Sequence, residues 1–178
     1  GIALQHLGKH HEALKLMEEA LSLQPNLLEA WLNQGVILKQ MGRHDEAIHA
    51  YEKALQLNPQ FADAWFNRAN AFNDLKRLDE ASRSYEKALE LNPNIPYLLG
   101  KSMHLQMRCG EWEAVNTKKP FLWESIALGQ KVIMPFDLLC LTDSPELLLK
   151  ATQIWSQDQY SRIPTYVASK PIKKEKVR

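Results

Sequence analysis

The sequence carries almost no excess charge, no long apolar run and only two cysteines. Its 178 residues set 22 Lys and Arg against 21 Asp and Glu, a formal net charge of +1. A dedicated nucleic-acid surface would concentrate basic residues on one face, so that class is set aside. No apolar run reaches the ~18 residues that mark a membrane-spanning helix. The longest, Val132 to Leu141, is broken by Pro135 and Asp137. No signal peptide is visible. Cys109 and Cys140 lack metal-type spacing and read as free thiols of a reducing compartment rather than as a disulfide. A cytoplasmic location is the expectation that follows. What remains is 45% hydrophobic and 24% charged, the balance of a folded, water-soluble chain. It is long enough to bury a core as one domain or as stacked repeats.

Against these gaps stands one pattern written twice. Trp31, Gly35, Ala47, Tyr51, Ala54 and Pro59 return 34 positions later as Trp65, Ala69, Ala81, Tyr85, Ala88 and Pro93. Each unit reads as a helical hairpin. Its first helix is predicted over 28–41, with Trp31, Leu32, Ile37 and Leu38 apolar. Gly42 ends that helix, because a residue without Cβ adopts the left-handed cap freely. The second helix is predicted over 44–57, with Ala47, Ile48, Tyr51, Ala54 and Leu55 at helical spacing. Asn58-Pro59 stops it, since proline cannot continue the hydrogen-bond ladder. The next unit copies this over 62–75 and 78–91, with Lys76 replacing the turn glycine at some cost. The same offset run backwards sets Gly1 opposite Gly35, Gly8 opposite Gly42 and Pro25 opposite Pro59. The chain then begins inside a first helix, with a turn near Gly8, and further sequence is expected before it.

After Pro93 the pattern fades. A helix is predicted over 97–108, with Gly110 at the turn position. Past Trp112 the repeat positions become Val115 and Lys119, so the periodicity reads as ended. A short helix is expected over 122–128, and 136–141 is expected to be buried. Thr142-Asp143-Ser144-Pro145-Glu146 signals a helix start with a hydroxyl or carboxylate cap, and Asp143 reads as a cap rather than a catalytic acid. That helix should reach residue 156 or 157, with Leu147, Leu148, Ala151, Ile154 and Trp155 forming its apolar face. Trp112, Trp123 and Trp155 are expected core or interface anchors. The organisation is therefore a truncated unit at 1–25, full units at 26–59 and 60–93, a degenerate repeat with helical connector at 94–160, and a basic linker at 161–178. The linker carries Lys170, Lys173, Lys174, Lys176 and Arg178.

The Trp, Gly/Ala, Ala, Tyr, Ala, Pro pattern at this spacing resembles the tetratricopeptide repeat family over roughly residues 1–96. The resemblance implies an all-α superhelix, an α-solenoid whose concave face is lined by the first helices of each unit. It also implies that the partner is a peptide or protein. The region 97–178 is similar to the segment joining repeats to catalytic half in SPINDLY-type protein O-linked N-acetylglucosamine transferases. The residues that carry this are Leu98-Leu99-Gly100, Met103-His104-Leu105, Glu111-Trp112, Pro135-Phe136, Leu141-Thr142-Asp143-Ser144-Pro145-Glu146-Leu147 and Ile154-Trp155. That family usually has Cys-Asp-Trp where this chain has Cys109-Gly110-Glu111-Trp112, so a family role does not transfer to Cys109. The resemblance implies that catalysis and UDP-N-acetylglucosamine belong to a half beyond this segment. No catalytic residue, cofactor or metal is expected in the chain itself.

Asn33 and Asn67 occupy the same place in their units, two residues after each tryptophan. A helix advances 3.6 residues per turn, which sets them away from the tryptophan face. An asparagine amide offers donor and acceptor together and can pair with both groups of one extended peptide unit. A row of them would read backbone rather than side chain. In the transferase family, asparagines here resemble a ladder that holds acceptor polypeptides. The plain alternative is a tolerated polar residue on an exposed face, and both stay open. The next residue in line is Lys101, where the ladder would end. Glu29 and Asp63, near each helix start, either select peptide side chains or compensate the helix dipole, the second being the simpler reading. His10, His11 and His44 are expected at turns, and His104 within the connector. Asp137 and Asp143 have no companion nucleophile.

Overall fold

The computed structural model describes residues 2–160, with side chains from residue 9 onward. The described residues form nine helices and no strand. In order they are α1 (Ile2–Leu23), α2 (Leu28–Gln40), α3 (His44–Leu57), α4 (Ala62–Asp74), α5 (Leu78–Leu91), α6 (Leu98–Cys109), α7 (Trp112–Ala127), α8 (Pro135–Leu138) and α9 (Pro145–Tyr160). From α1 to α7 each helix packs on the next in sequence, and α2 also touches α4. This is the nearest-neighbour stacking of a helical solenoid. No helix among the described residues is long and apolar enough to cross a membrane. The basic linker at 161–178 lies outside the described residues.

The repeated sequence makes repeated contacts. Trp31 Nε1 donates to the Pro25 carbonyl at 2.8 Å, and Trp65 Nε1 to the Pro59 carbonyl at 2.9 Å. Each bond ties a new hairpin to the end of the previous one. The Asn58 side chain accepts from the Gln60 N–H at 2.9 Å and Asn92 from the Asn94 N–H at 3.0 Å. The asparagine thereby turns the chain where the following proline has already ended the helix. Gly42 closes α2 in the left-handed region, with φ 77°. Its N–H reaches the Lys39 carbonyl at 3.0 Å, and the Arg43 N–H reaches Leu38 at 2.9 Å. Lys76 takes the same conformation with φ 62° and the same pair of bonds. A side chain there costs about 1–2 kcal/mol relative to glycine. The packing of α4 on α5 outweighs that cost.

Gly110 closes α6 in the same way, with φ 78° and the Glu111 N–H bonded to the Gln106 carbonyl at 2.9 Å. Helix α7 then starts at Trp112, one repeat length after Leu78. The expectation that periodicity ends at Trp112, with only a short helix over 122–128, is therefore corrected: α7 is continuous over 16 residues and contains Pro120. Proline removes one ladder bond and favours a helix start, which is how the sequence reads. Here Val115, Leu122 and Ile126 share one buried cluster on both sides of Pro120, and that burial carries the helix through. The α6–α7 contact is also polar. Lys118 Nζ donates to Gln106 Oε1 at 2.9 Å and to Ser102 Oγ at 3.4 Å, and Gln106 Nε2 donates to Glu86 at 3.3 Å. Burial pushes the Lys118 ammonium below the usual lysine range, partly offset by Glu86 and Glu111.

Four other expectations are corrected. First, α1 runs through Gly8 without a turn, so His10 and His11 lie inside a helix. A glycine permits a left-handed turn without imposing one, and the hydrogen-bond ladder of α1 continues through it. Second, 136–141 is only half buried: Leu138 and Leu141 point inward while Phe136 and Leu139 are exposed. One turn of helix, α8, divides its side chains between two faces. Third, the cap of α9 is Ser144, whose Oγ accepts the Leu147 N–H at 3.4 Å, not Asp143. Proline at the first helical position fixes the cap one residue before it. α9 also runs to Tyr160, beyond the expected end at 156 or 157. Fourth, Trp112 is exposed, whereas Trp123 packs on the connector cluster.

The core is continuous. One cluster runs from Leu14 through Tyr51, Phe72 and Tyr85 to Leu98 and Leu105. A second joins Leu99 and Met103 to α7, residues 132–141 and Ala151. Helix α6 faces both, so the connector is built onto the repeats. The two repeat tyrosines supply a test. Tyr85 Oη donates to Asn70 Oδ1 at 2.9 Å, while the buried Tyr51 Oη has no partner among the described residues. The residue one repeat before Asn70 is Val36, which cannot accept. Tyr85→Phe is therefore expected to lower stability by about 1 kcal/mol, and Tyr51→Phe to leave it unchanged or raise it by up to about 1 kcal/mol. Urea denaturation of the two variants checks the opposite signs.

Candidate functional site

The candidate residues lie on the first helix of each hairpin. Asn33 is the sixth residue of α2 and Asn67 the sixth of α4, and the two helices are in contact. Asn33 is exposed and makes no hydrogen bond among the described residues. Asn67 is half-buried, and its Nδ2 donates to the Asp63 carbonyl one turn earlier at 2.9 Å. The pair is thus unequal: Asn33 offers donor and acceptor, whereas Asn67 offers chiefly its carbonyl. Glu29 and Asp63 are both exposed in the first turns of α2 and α4. Neither belongs to an ion pair among the described residues.

Further along the same helices, the structure assembles a cluster that the sequence did not join. A cavity of about 230 Å³ is lined by Asn73 of α4, Tyr85 of α5, Lys101, His104 and Leu105 of α6, with Met134 and Asp137 at α8. Tyr85 supplies a wall, its hydroxyl already bonded to Asn70. Asn73 Oδ1 accepts from Arg108 Nη1 at 2.9 Å, which leaves its amide donors uncommitted. His104 Nδ1 lies 3.2 Å from Asp137 Oδ1, an ion pair when the imidazole is protonated, but the two are not aligned for a hydrogen bond. Lys39 and Asp74 pair nearby at 3.1 Å. Burial pushes the Lys101 ammonium down, and Lys39 adds to the effect, while Asp137 and Asp74 oppose it. Position 101 was visible in the sequence as the place where the asparagine row stops. The contribution of Asp137 was not, because it arrives from a loop with no repeat register.

Cys109 and Cys140 are free and exposed. No group of three or more His, Cys, Asp or Glu among the described residues is arranged to hold a metal ion. At α8 and α9, Met134, Pro135, Phe136 and Trp155 line a nearly wholly apolar notch of about 220 Å³.

A model of the tetratricopeptide repeat matches residues 28–61 and again 62–95, and a second model of that repeat matches residues 1–24. No curated protein matches the chain. Among solved structures, the MamA RS-1 ArsTM double mutant is similar at 22% identity and TM-score 0.58, covering 66% of this chain and 66% of that one. MamA 41-end from Desulfovibrio magneticus RS-1 is similar at 22% identity and TM-score 0.59, covering 70% of each. The first TPR of Spaghetti (RPAP3), bound to an HSP90 peptide, is similar at 23% identity and TM-score 0.56, covering 58% of this chain and 82% of that one. At such identities these likenesses concern the fold. With repeat models matching just over half of the residues and the repeat contacts of Trp31 and Trp65 reproduced in three dimensions, the chain belongs to the tetratricopeptide repeat family.

Proposed function

We propose that this chain is a polypeptide-binding module that holds an extended partner segment along the concave face formed by α2, α4 and α6. The observation that carries the reading is the placement of Asn33 and Asn67 at the same position of adjacent helices. Asn33 pairs with an N–H and a C=O of the segment, and Asn67 with an N–H. Support also comes from the repeat neighbour that was solved with a peptide bound. Such a contact set reads backbone and accepts many sequences. A hydrogen bond contributes about 0.5–1.5 kcal/mol, so Asn33→Ala with Asn67→Ala is expected to weaken binding roughly tenfold. Both residues are solvent-facing enough that the melting temperature should not move. Fluorescence anisotropy with peptides selected from an unbiased array measures this, and unchanged affinity in the double variant overturns the ladder.

The connector's resemblance to SPINDLY-type transferases favours a narrower version. In it the bound polypeptide is an acceptor, presented to a catalytic half that uses UDP-N-acetylglucosamine. The repeats serve a free-standing adaptor equally well. Sequence beyond Arg178 that continues into a nucleotide-sugar-binding α/β domain would favour the transferase. This chain by itself is expected to transfer no sugar.

A further inference from the structure

We propose that an open slot between α2 and α3 receives the guanidinium of an arginine side chain from a partner polypeptide. The slot shares no residue with the asparagine row.

Three successive layers of the stack can be compared position by position. Glu18 of α1, Glu52 of α3 and Glu86 of α5 are spaced by the 34-residue period. In the second layer, built from α3, α4 and α5, a cation fills the space beside the glutamate. Arg68 Nη2 donates to Glu52 Oε1 at 3.1 Å. Its guanidinium lies 5.2 Å from the Trp65 ring centroid and 5.0 Å from that of Phe72. In the third layer, built from α5, α6 and α7, the cation comes from the other helix of the hairpin. Ser102 holds the place of Arg68, and Lys118 holds that of Ser84. Lys118 Nζ bonds to Gln106 and Ser102, and Glu86 attracts its ammonium. Both layers therefore bury a positive group near the glutamate.

The first layer keeps the surroundings and lacks the cation. Gln34 stands where Arg68 stands one unit later, and Ala50 where Lys118 stands two units later. Glu18 belongs to no ion pair among the described residues. A pocket of about 330 Å³ remains, lined by Trp31, Gln34 and Leu38 of α2 and by Asp45, Glu46 and His49 of α3. Arg43 does not fill it. That residue is held by Glu46 through two bonds of 2.6 Å, as its counterpart Arg77 is held by Glu80 in a layer that still accommodates Arg68. Glu18, Asp45 and Glu46 stand against Arg43 and Arg77, a balance that favours one more cation.

The walls select the kind of cation. Where arginine fills the slot, the walls are Trp65 and Phe72; where lysine fills it, the same positions are Leu99 and Gln106. A planar guanidinium stacks on an aromatic face, and an ammonium gains less there. The first layer retains the tryptophan, with Leu38 at the position of Phe72. Trp31 is fixed by the same indole bond to a proline carbonyl as Trp65.

The test titrates the full chain with N-acetyl-arginine N-methylamide and with its lysine and citrulline counterparts, the last being neutral and of nearly the arginine shape. Indole and side-chain amide NMR resonances report binding. Saturable shifts at the Trp31 indole and the Gln34 amide are expected with the arginine probe, weaker ones with lysine and none with citrulline. Glu18→Gln should weaken the arginine probe about tenfold, as expected for loss of a charge-assisted bond. Gln34→Arg supplies the cation from within the chain and should abolish the response while melting no lower than the parent chain. Equal shifts with arginine and citrulline, or an undiminished arginine response in either variant, overturn the site. A lysine probe that binds as tightly as the arginine one overturns the choice of guanidinium.

Discussion

Gly100→Val is expected to lower the unfolding free energy by roughly 3 kcal/mol, through overpacking that the site cannot relieve. Gly100 sits in the first turn of α6, where residues 131–133 cross it. Its N–H donates to the Val132 carbonyl at 2.8 Å, and the Tyr97 N–H donates to Lys131 at 2.6 Å. A Cβ at Gly100 would lie 2.7 Å from Ile133 Cγ1 and 2.8 Å from Ile133 Cα. The second contact is decisive. A rotamer change can move Cγ1, but moving Cα pulls the crossing segment off the helix. Ile133 is itself buried in the connector cluster, so that shift exposes Val132 and Ile133 together. Gly100→Ala should lose less, because alanine returns up to about 1 kcal/mol of helix propensity against the same collision. Ile133→Ala in the Gly100→Val background should not restore stability, since the obstructing Cα remains. Urea denaturation followed by tryptophan fluorescence measures all three; a wild-type midpoint for Gly100→Val would show that the crossing segment is not docked on α6.

What the sequence disclosed follows the reach of each signal. The boundaries of α3 and α5 were readable to the residue, because Gly or Lys in a left-handed turn and Asn-Pro at the exit are local devices. The equal placement of Asn33 and Asn67, each the sixth residue of its helix, was readable because the 34-residue offset is local arithmetic. Helix α7 was misjudged because Pro120 is a strong local signal, whereas the burial that overrides it depends on Leu138, Leu141 and Ala151, distant in sequence. The turn expected near Gly8 failed for a different reason: the register sets Gly8 opposite Gly42, but a glycine permits a left-handed turn and does not impose one. The cavity was invisible for a third reason. Lys101 and Asp137 are 36 positions apart, and no period relates α8 to α6.

Leu122→Ala is expected to cost about 2–5 kcal/mol, the range for emptying a fully buried leucine. Leu122 occupies the place in α7 that Ala54 holds in α3 and Ala88 in α5, and all three are completely buried. The difference lies in what packs next. Ala54 lies against Ala64 of α4, whose small side chain lets the following helix approach closely. After α7 there is no such helix; residues 132–141 and α9 take its place, and α7 packs on α9 instead. A leucine fills the wider gap. The reciprocal change follows from the same geometry: Ala88→Leu forces extra volume between α5 and α6 and should cost about 1–3 kcal/mol. Leu122→Ala should also open α9, which hydrogen exchange would report as lost protection over 145–160 while α2 to α4 keep theirs. Exchange that quickens equally in every helix would mean that α7 to α9 and the repeats unfold as one unit.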